Sequence, residues 1–155
     1  MDPEEVEQLL LLLTDLFRGL KQGAGVGEVA EPLKRDILGA GLGMRHARLL
    51  LTLAVTGPLA VGELAARMGL AAPTVSLLAG EANRAGFLDR REDERDRRRT
   101  ILSLPERVRA PLEQVAQAAA EPLRRTLEHL DPTARRHFLE GLRQLVAELG
   151  DQDSR

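Results

Sequence analysis

The sequence predicts a mainly α-helical protein with one small β-hairpin, and three observations support this. Apolar residues recur at helical spacing along most of the 155 residues. Two short strand-like segments lie within residues 87–104, directly behind a pair of short helical segments. Gly69 marks the turn between those helical segments, and Gly86 marks the end of the second one. At 17.0 kDa, the chain is long enough for one domain with its own core.

The first helix is predicted to follow Asp2, which suits an N-cap, with Pro3 in the first helical position. Its apolar residues alternate at spacings of three and four, which forms a seam along one side. The seam consists of Val6, Leu9, Leu13, Leu16 and Leu20. Such a seam packs against another helix, and this stretch alone leaves open whether that helix belongs to the same chain or to a second copy.

Residues 23–43 hold six of the fourteen glycines and predict flexible connectors around a short helix near residues 28–37. Their spacing does not match the GxGxxG dinucleotide-binding pattern, and no βαβ context surrounds them. Residues 44–55 then predict a dense apolar helix, buried on most sides. Thr56-Gly57-Pro58 predicts its end.

The next two helices form the most informative part of the chain. Val61, Leu64, Ala65 and Met68 give the first helix a core face, and Val75, Leu78, Ala79 and Ala82 give one to the second. A helix pair joined by a short Gly-containing turn is typical of the helix-turn-helix, whose second helix enters the DNA major groove. Pro73, Leu77, Gly80 and Arg84 lie opposite the core face of the second helix, flanked by Thr74 and Ser76.

Residues 87–91 and 98–104 predict the two strands of a hairpin, with residues 92–97 as the turn. Seven arginines and five acidic residues alternate within residues 84–99. A charge run is often only a solvated face, but behind a helix-turn-helix it predicts a basic wing, held rigid by internal salt bridges. Residues 43–104 carry ten basic and seven acidic groups, although the whole chain has a net charge of −2. This local positive charge favours DNA as the partner.

Residues 105–150 predict two more helices, the first kinked at Pro122 and the second restarted by Asp131-Pro132. Their apolar seams include Val108, Leu112, Val115, Ala119, Leu123 and Leu127, and then Phe138, Leu142, Leu145 and Leu149. We therefore expect a single domain over residues 1–155. Residues 44–104 form its winged helix-turn-helix head, residues 23–43 a Gly-rich connector, and residues 1–22 and 105–150 the dimerisation helices.

Composition excludes several other functions. The chain has no cysteine, and His46, His129 and His137 lack metal-ligand spacing, so we expect no metal and no cofactor. No catalytic motif is present, which argues against an enzyme. Only three aromatic residues are available for base stacking, which disfavours single strands and RNA. The start of the chain is not a signal peptide and no apolar run is long enough to span a bilayer, so we expect a cytoplasmic protein.

The chain resembles the MarR (multiple antibiotic resistance regulator) family of winged helix-turn-helix proteins along essentially its whole length. The resemblance is sharpest in ELAARMGL, PTVSLL and NRAGFLDRR, and in Asp93-x-Arg95-x-x-Arg98, which matches the wing signature DxRxxR. It implies a homodimer that places its second helices in successive major grooves, with Arg95 entering the minor groove. It also implies a cleft for small aromatic or phenolic ligands. Ala60 and Ala71 depart from the family's frequent Ser or Thr caps.

These arguments together identify candidate site residues. The candidates for DNA binding are Pro73, Thr74, Ser76, Leu77, Arg84, Arg95 and Arg97. The candidates for bracing the wing are Asp93, Asp96 and Arg98, and those for binding a ligand are Arg45 and His46. A lone histidine such as His46 is more often a structural residue than a ligand-binding one.

The sequence thus predicts a sequence-specific regulator of transcription that binds double-stranded DNA. It would act as a repressor, released from a pseudo-palindromic operator by a small ligand. The alternative is a winged-helix protein-interaction module that does not bind DNA. The concentration of arginine in the wing argues against that alternative, because a protein-binding module has no need of it.

Overall fold

The computed structural model describes residues 2–22 and 26–150, and its fold is mainly α-helical with one small sheet, as predicted. The helices are α1 (Pro3–Gln22), α2 (Val26–Gly39), α3 (Met44–Thr56), α4 (Val61–Met68), α5 (Ala72–Arg84), α6 (Glu106–Glu128) and α7 (Pro132–Gly150). The strands are β1 (Leu59–Ala60), β2 (Asp89–Glu92) and β3 (Thr100–Ser103). Among the described residues, no helix is long and apolar enough to cross a membrane.

The chain divides into two compact units, one ending at Ala119 and the other beginning at Ala120. The core lies in the first unit, where α3, α4, α5, the sheet and the start of α6 meet. The predicted core faces of α4 and α5 are buried, apart from the half-buried Val61. The largest fully buried side chains are Leu49, Leu50, Leu64, Val75, Leu88, Leu102 and Val108.

The Gly-rich connector is more helical than predicted. Helix α2 extends beyond the expected residues 28–37 at both ends, and Gly23 and Gly25 lie outside the described residues. The helix ends at a left-handed Gly41 with φ of 76°, which lets the Leu42 N–H donate to the Ile37 carbonyl. Ile37 and Leu42 are both buried, so the glycine completes a helix end rather than loosening the chain.

Helix α3 is less buried than predicted. Leu49, Leu50 and Leu53 belong to the core, but Met44 is 77% exposed and Val55 is 67% exposed. The prediction of burial on most sides is therefore wrong, because the core covers only one side of the helix. Gly57, with φ of 80°, ends α3 as expected.

The hairpin belongs to a three-stranded antiparallel sheet of order β1-β3-β2. Leu59 of β1 lies opposite Leu102, and Arg90 of β2 lies opposite Leu102 on its other side. β1 was not predicted, because two residues are too few to show strand alternation. β2 begins at Asp89 rather than residue 87, since Phe87 and Leu88 are buried in the core before the strand starts.

The helix starts at Asp2 and Asp131 follow the sequence prediction. The Asp2 carboxylate accepts a hydrogen bond from the Glu4 N–H at 3.2 Å. Asp131 accepts from the N–H groups of Thr133 (2.8 Å) and Ala134 (3.0 Å), and these hydrogen bonds lower the pKa of its carboxyl group. Helix α6 passes through Pro122 without ending there.

Candidate nucleic-acid interface

The turn between α4 and α5 requires a left-handed residue, and Gly69 supplies it with φ of 65°. The Leu70 N–H then donates to the Ala65 carbonyl at 3.0 Å, which closes the end of α4. Helix α5 starts two residues later with Pro73 in its first turn. The local conformation is therefore that of the predicted helix-turn-helix.

The outer face of α5 is accessible to a partner. Leu77 is 60% exposed, Pro73 and Arg84 are exposed, and Thr74 and Ser76 are half-buried. The opposite face is fully buried, so the helix cannot rotate without exposing its core residues. The structure thus fixes which side chains of α5 are presented, and these match the predicted set.

Carboxylates shape the wing by binding its backbone. Asp93 Oδ1 accepts from the Arg95 N–H at 2.9 Å, and Asp96 Oδ1 accepts from the Arg98 N–H at 3.0 Å. The Asp93 N–H also donates to the Arg99 carbonyl at 2.9 Å across the base of the turn.

The expected salt bridges within the wing do not form among the side chains that the structure describes. The carboxylates of Asp93 and Asp96 accept backbone N–H groups instead. The prediction that Arg98 braces the wing is corrected in the same way, because only its backbone N–H takes part in the turn. The guanidinium groups of the exposed arginines at positions 95, 97 and 98 therefore keep their charge available.

Glu63 anchors the wing to α4. One of its carboxylate oxygens accepts from the Ala60 N–H at 3.0 Å, and the other accepts from the Arg99 guanidinium at 2.8 Å. The Ala60 hydrogen bond, followed by the one from Arg99, lowers the pKa of Glu63. Glu63 thereby supplies the N3 half of a capping box, while Ala60 has no side-chain acceptor to supply the other half. The sequence did not reveal this link, because its two residues lie 36 positions apart.

An open basic cleft of about 550 Å³ lies between α4, α5 and the wing. Residues lining it include Ser76 of α5, Arg90 of β2, and Arg98 and Arg99 of the turn. Arg90 also lies against α5, with its guanidinium 3.5 Å from the position that a Cβ at Gly80 would take. Arg90 was not among the predicted site residues, because the approach of β2 to α5 is a tertiary contact that local sequence patterns do not show.

His46 has a structural position. Its Nδ1 accepts from the Gly43 N–H at 3.1 Å, and its Nε2 lies 2.7 Å from the Glu81 carboxylate on α5. The ring is buried, with 9% of the residue exposed. Both ring nitrogens are thus occupied by groups of the chain itself, which agrees with the structural alternative stated for His46.

An apolar cavity of about 220 Å³ lies beside α3. Neither Arg45 nor His46 lines it, so this cavity does not support the prediction that these two residues bind a ligand. Lys34 and Gly43 contribute to the wall. The apolar wall includes Leu33, Ile37, Met44, Ala47, Leu51 and Leu112, from α2, α3 and α6.

Two further arginines hold the ends of the helix pair. The Arg48 guanidinium donates to the Met68 carbonyl at 3.0 Å, at the end of α4. The Arg107 guanidinium donates to the Gly86 carbonyl and lies 5.9 Å from the centre of the Phe87 ring, at the end of α5. Both interactions place a cation at a helix C-terminus, where it is favourable. Sequence spacing could not identify either pair.

Comparison with known proteins assigns the class. Residues 40–99 match the model of the MarR family. The uncharacterised HTH-type transcriptional regulator YfiV of Bacillus subtilis (strain 168) is 28% identical over 127 residues, covering 82% of this chain and 76% of that protein. Fold and sequence together define a winged helix-turn-helix transcriptional regulator rather than an enzyme. Over residues 40–99, the chain is similar to the MarR family.

Solved structures agree with this assignment. A MarR family protein from Bacillus stearothermophilus is 25% identical, with a TM-score of 0.53 and coverage of 97% of this chain and 99% of that one. Reduced AbfR bound to DNA is 17% identical, with a TM-score of 0.50 and coverage of 96% and 99%. At this identity, the AbfR comparison shows a shared fold.

Proposed function

We propose that this protein is a member of the MarR family and a cytoplasmic repressor that binds a pseudo-palindromic operator as a homodimer and is released by a small aromatic ligand. The observation that carries the DNA-binding part is the basic cleft, into which α5 and the wing both project side chains. Ser76 and Arg90 line the same opening, so one DNA duplex can contact the helix and the wing together.

The roles within this interface follow from chemistry. The exposed face of α5 enters the major groove, where Thr74 and Ser76 can hydrogen-bond base edges and Leu77 can contact a thymine methyl group. Arg95 and Arg97 lie on the wing, where Arg95 enters the minor groove and Arg97 contacts phosphates. AbfR, which has this fold, has been solved bound to DNA, and this supports the same use here.

Homodimerisation is supported by apolar side chains that the chain itself leaves uncovered. Leu10, Leu11 and Phe17 of α1 are 60%, 62% and 67% exposed, and Val146 of α7 is 64% exposed. Exposed apolar surface on this scale marks an interaction site. A two-fold dimer would place its two α5 helices about 10 bp apart on the operator.

The cavity beside α3 supports ligand control. An apolar cavity of about 150 Å³ is known to hold benzene in another protein, so about 220 Å³ accommodates one substituted aromatic ring. Lys34 in the wall would favour a carboxylate or phenolate on that ring. A ligand that prefers another spacing of the two heads weakens operator binding by its differential affinity for the two states.

Selection of bound sequences from a pool of random duplexes tests the DNA-binding proposal and identifies the operator. We expect an inverted repeat with half-sites about one helical turn apart. Affinity for the selected duplex should fall steeply with salt concentration, because phosphate contacts release counterions. If no sequence is enriched, or if binding is insensitive to salt, a winged-helix module for protein interaction becomes the better account.

Benzoate, 4-hydroxybenzoate and phenol are suitable first probes of the cavity. A ligand should raise the melting temperature and release the operator at the same concentration. Leu51→Trp, which fills the cavity, should abolish both effects. If a broader panel of aromatic acids and phenols changes neither quantity, the sensor role fails while the DNA-binding role stands.

A further inference from the structure

The apolar cavity and helix α5 are connected by a short chain of hydrogen bonds. Gly43 lines the cavity, and its N–H donates to Nδ1 of His46 at 3.1 Å. Nε2 of the same ring lies 2.7 Å from Oε2 of Glu81, in the last turn of α5. Met44 and Ala47, on either side of His46 in the chain, also line the cavity.

The direction of these hydrogen bonds follows from the ring. Because Nδ1 accepts a proton from a backbone N–H, it carries none itself, and the ring proton of the neutral imidazole is on Nε2. His46 therefore donates to Glu81. Within the part of the chain that the structure describes, this is the one side-chain hydrogen bond that joins α3 to α5.

We infer that the His46–Glu81 hydrogen bond transmits occupancy of the cavity to helix α5, a role that rests on the function proposed above. A ring held between α2, α3 and α6 packs against the first turn of α3, which is part of the cavity wall and repacks around the ring. Moving Gly43 or Met44 moves the imidazole that they flank. The charge-assisted hydrogen bond then moves Glu81, and with it the exposed face of α5.

His46 is a positioning residue in this scheme, because it contacts neither DNA nor ligand. The imidazole of His46 is buried, so breaking its hydrogen bond to Glu81 without a replacement would leave a buried ring N–H without an acceptor, which is costly. The hydrogen bond thus sets the position of α5 relative to α3, and occupancy of the cavity can change that position.

A double-mutant cycle tests the inference without knowledge of the natural ligand. Ala47→Phe attaches an aromatic ring inside the cavity and so mimics occupancy. We expect it to weaken affinity for the selected operator by about 5- to 150-fold, the usual range of allosteric coupling. In a Glu81→Ala background the same substitution should change affinity less than twofold. In a Glu81→Gln background, whose amide oxygen still accepts from Nε2, most of the effect should return.

The inference would be overturned if Ala47→Phe lowered operator affinity equally in the parent, Glu81→Ala and Glu81→Gln backgrounds. It would also be overturned by an Ala47→Phe protein that folds and binds operator like the parent. If Ala47→Phe does not fold, as judged by circular dichroism, Leu51→Phe supplies the ring from the next turn of α3. Selection of no operator by the parent would contradict the proposed function instead. In that case, amide hydrogen exchange of α5 tests the inference without an operator. The aromatic ring at position 47 should alter the protection of the α5 amides from exchange only when residue 81 can accept the hydrogen bond from His46.

Discussion

The head, residues 44–104, and helix α1 have similar apolar periodicity but use it differently. In the head, Leu49, Leu50 and Leu64 are fully buried within the chain. In α1, Leu9 is 48% exposed and Leu12 is 58% exposed, although both lie in a long apolar stretch. Periodicity thus predicts a helix in both places, but within the described chain only the head fully buries leucines of its apolar face.

This difference separates two sources of stability. Burial of a leucine side chain contributes about 1.5–3 kcal/mol. For the head, that gain is part of folding and does not depend on concentration. For α1 and α7, the proposed dimer would make that gain available only on association, where it must offset an association cost of about 4–15 kcal/mol. Many exposed apolar residues are needed for that, and the two helices supply them.

The largest expected effect comes from placing a charge in the seam of α7. Leu145→Glu should give a monomer by sedimentation at micromolar concentration and lower operator affinity at least a hundredfold, because a single head contacts only one half-site. Ala147→Glu on the opposite side of the same helix is the matched control and should leave the dimer intact. A dimeric Leu145→Glu protein would contradict the assignment of this seam.

Leucine-to-alanine substitutions compare the contributions of the head and of α1 to stability. Leu50→Ala should lower the free energy of unfolding by about 2–5 kcal/mol at every protein concentration, since it leaves a cavity in the core. Leu10→Ala should lower stability only where the dimer is populated, and its effect should shrink on dilution. Melting curves over a hundredfold range of concentration distinguish the two. A concentration-independent loss for Leu10→Ala would place that residue in a monomer core.

Local patterns were sufficient to predict the helix pair, its turn glycines and the presented face of α5. They failed where a contact joins distant parts of the chain. β1 consists of two residues and exists because Leu59 pairs with Leu102. Glu63 and Arg99 lie 36 positions apart, and His46 and Glu81 lie 35 positions apart. A single pair of residues at such a separation produces no periodic pattern in the sequence. The family resemblance implied a ligand cleft, but the apolar cavity itself arises from the packing of α2, α3 and α6, which no local pattern shows.

Arg95→Ala tests the wing, with a smaller expected effect. It should reduce operator affinity at least tenfold, about 1.4 kcal/mol, while the melting temperature stays nearly unchanged because the residue is exposed. The loss should be greater on operators with A·T-rich flanks, whose narrow minor groove attracts the guanidinium.

Arg136→Ala, an exposed arginine on α7, is the matched control and should bind operator like the parent. If Arg95→Ala also binds operator like the parent, the arginine residues of the wing form only a solvent-exposed charged surface. Asp93→Ala should weaken binding less than Arg95→Ala, because it loosens the turn that directs Arg95 without removing the guanidinium.

The smallest expected effect concerns how helices begin. Asp131 caps α7 with two hydrogen bonds to backbone N–H groups, whereas Ala71 precedes α5 in an extended conformation and offers no side-chain acceptor. Ala71→Ser should therefore stabilise the head by about 1 kcal/mol. For a chain of this size, that raises the melting temperature by about 2–4 °C. Ala72→Ser, one position inside the helix, is the control and should give no such gain. If the two variants melt together, the start of α5 is already satisfied by water, and the missing cap has no energetic consequence.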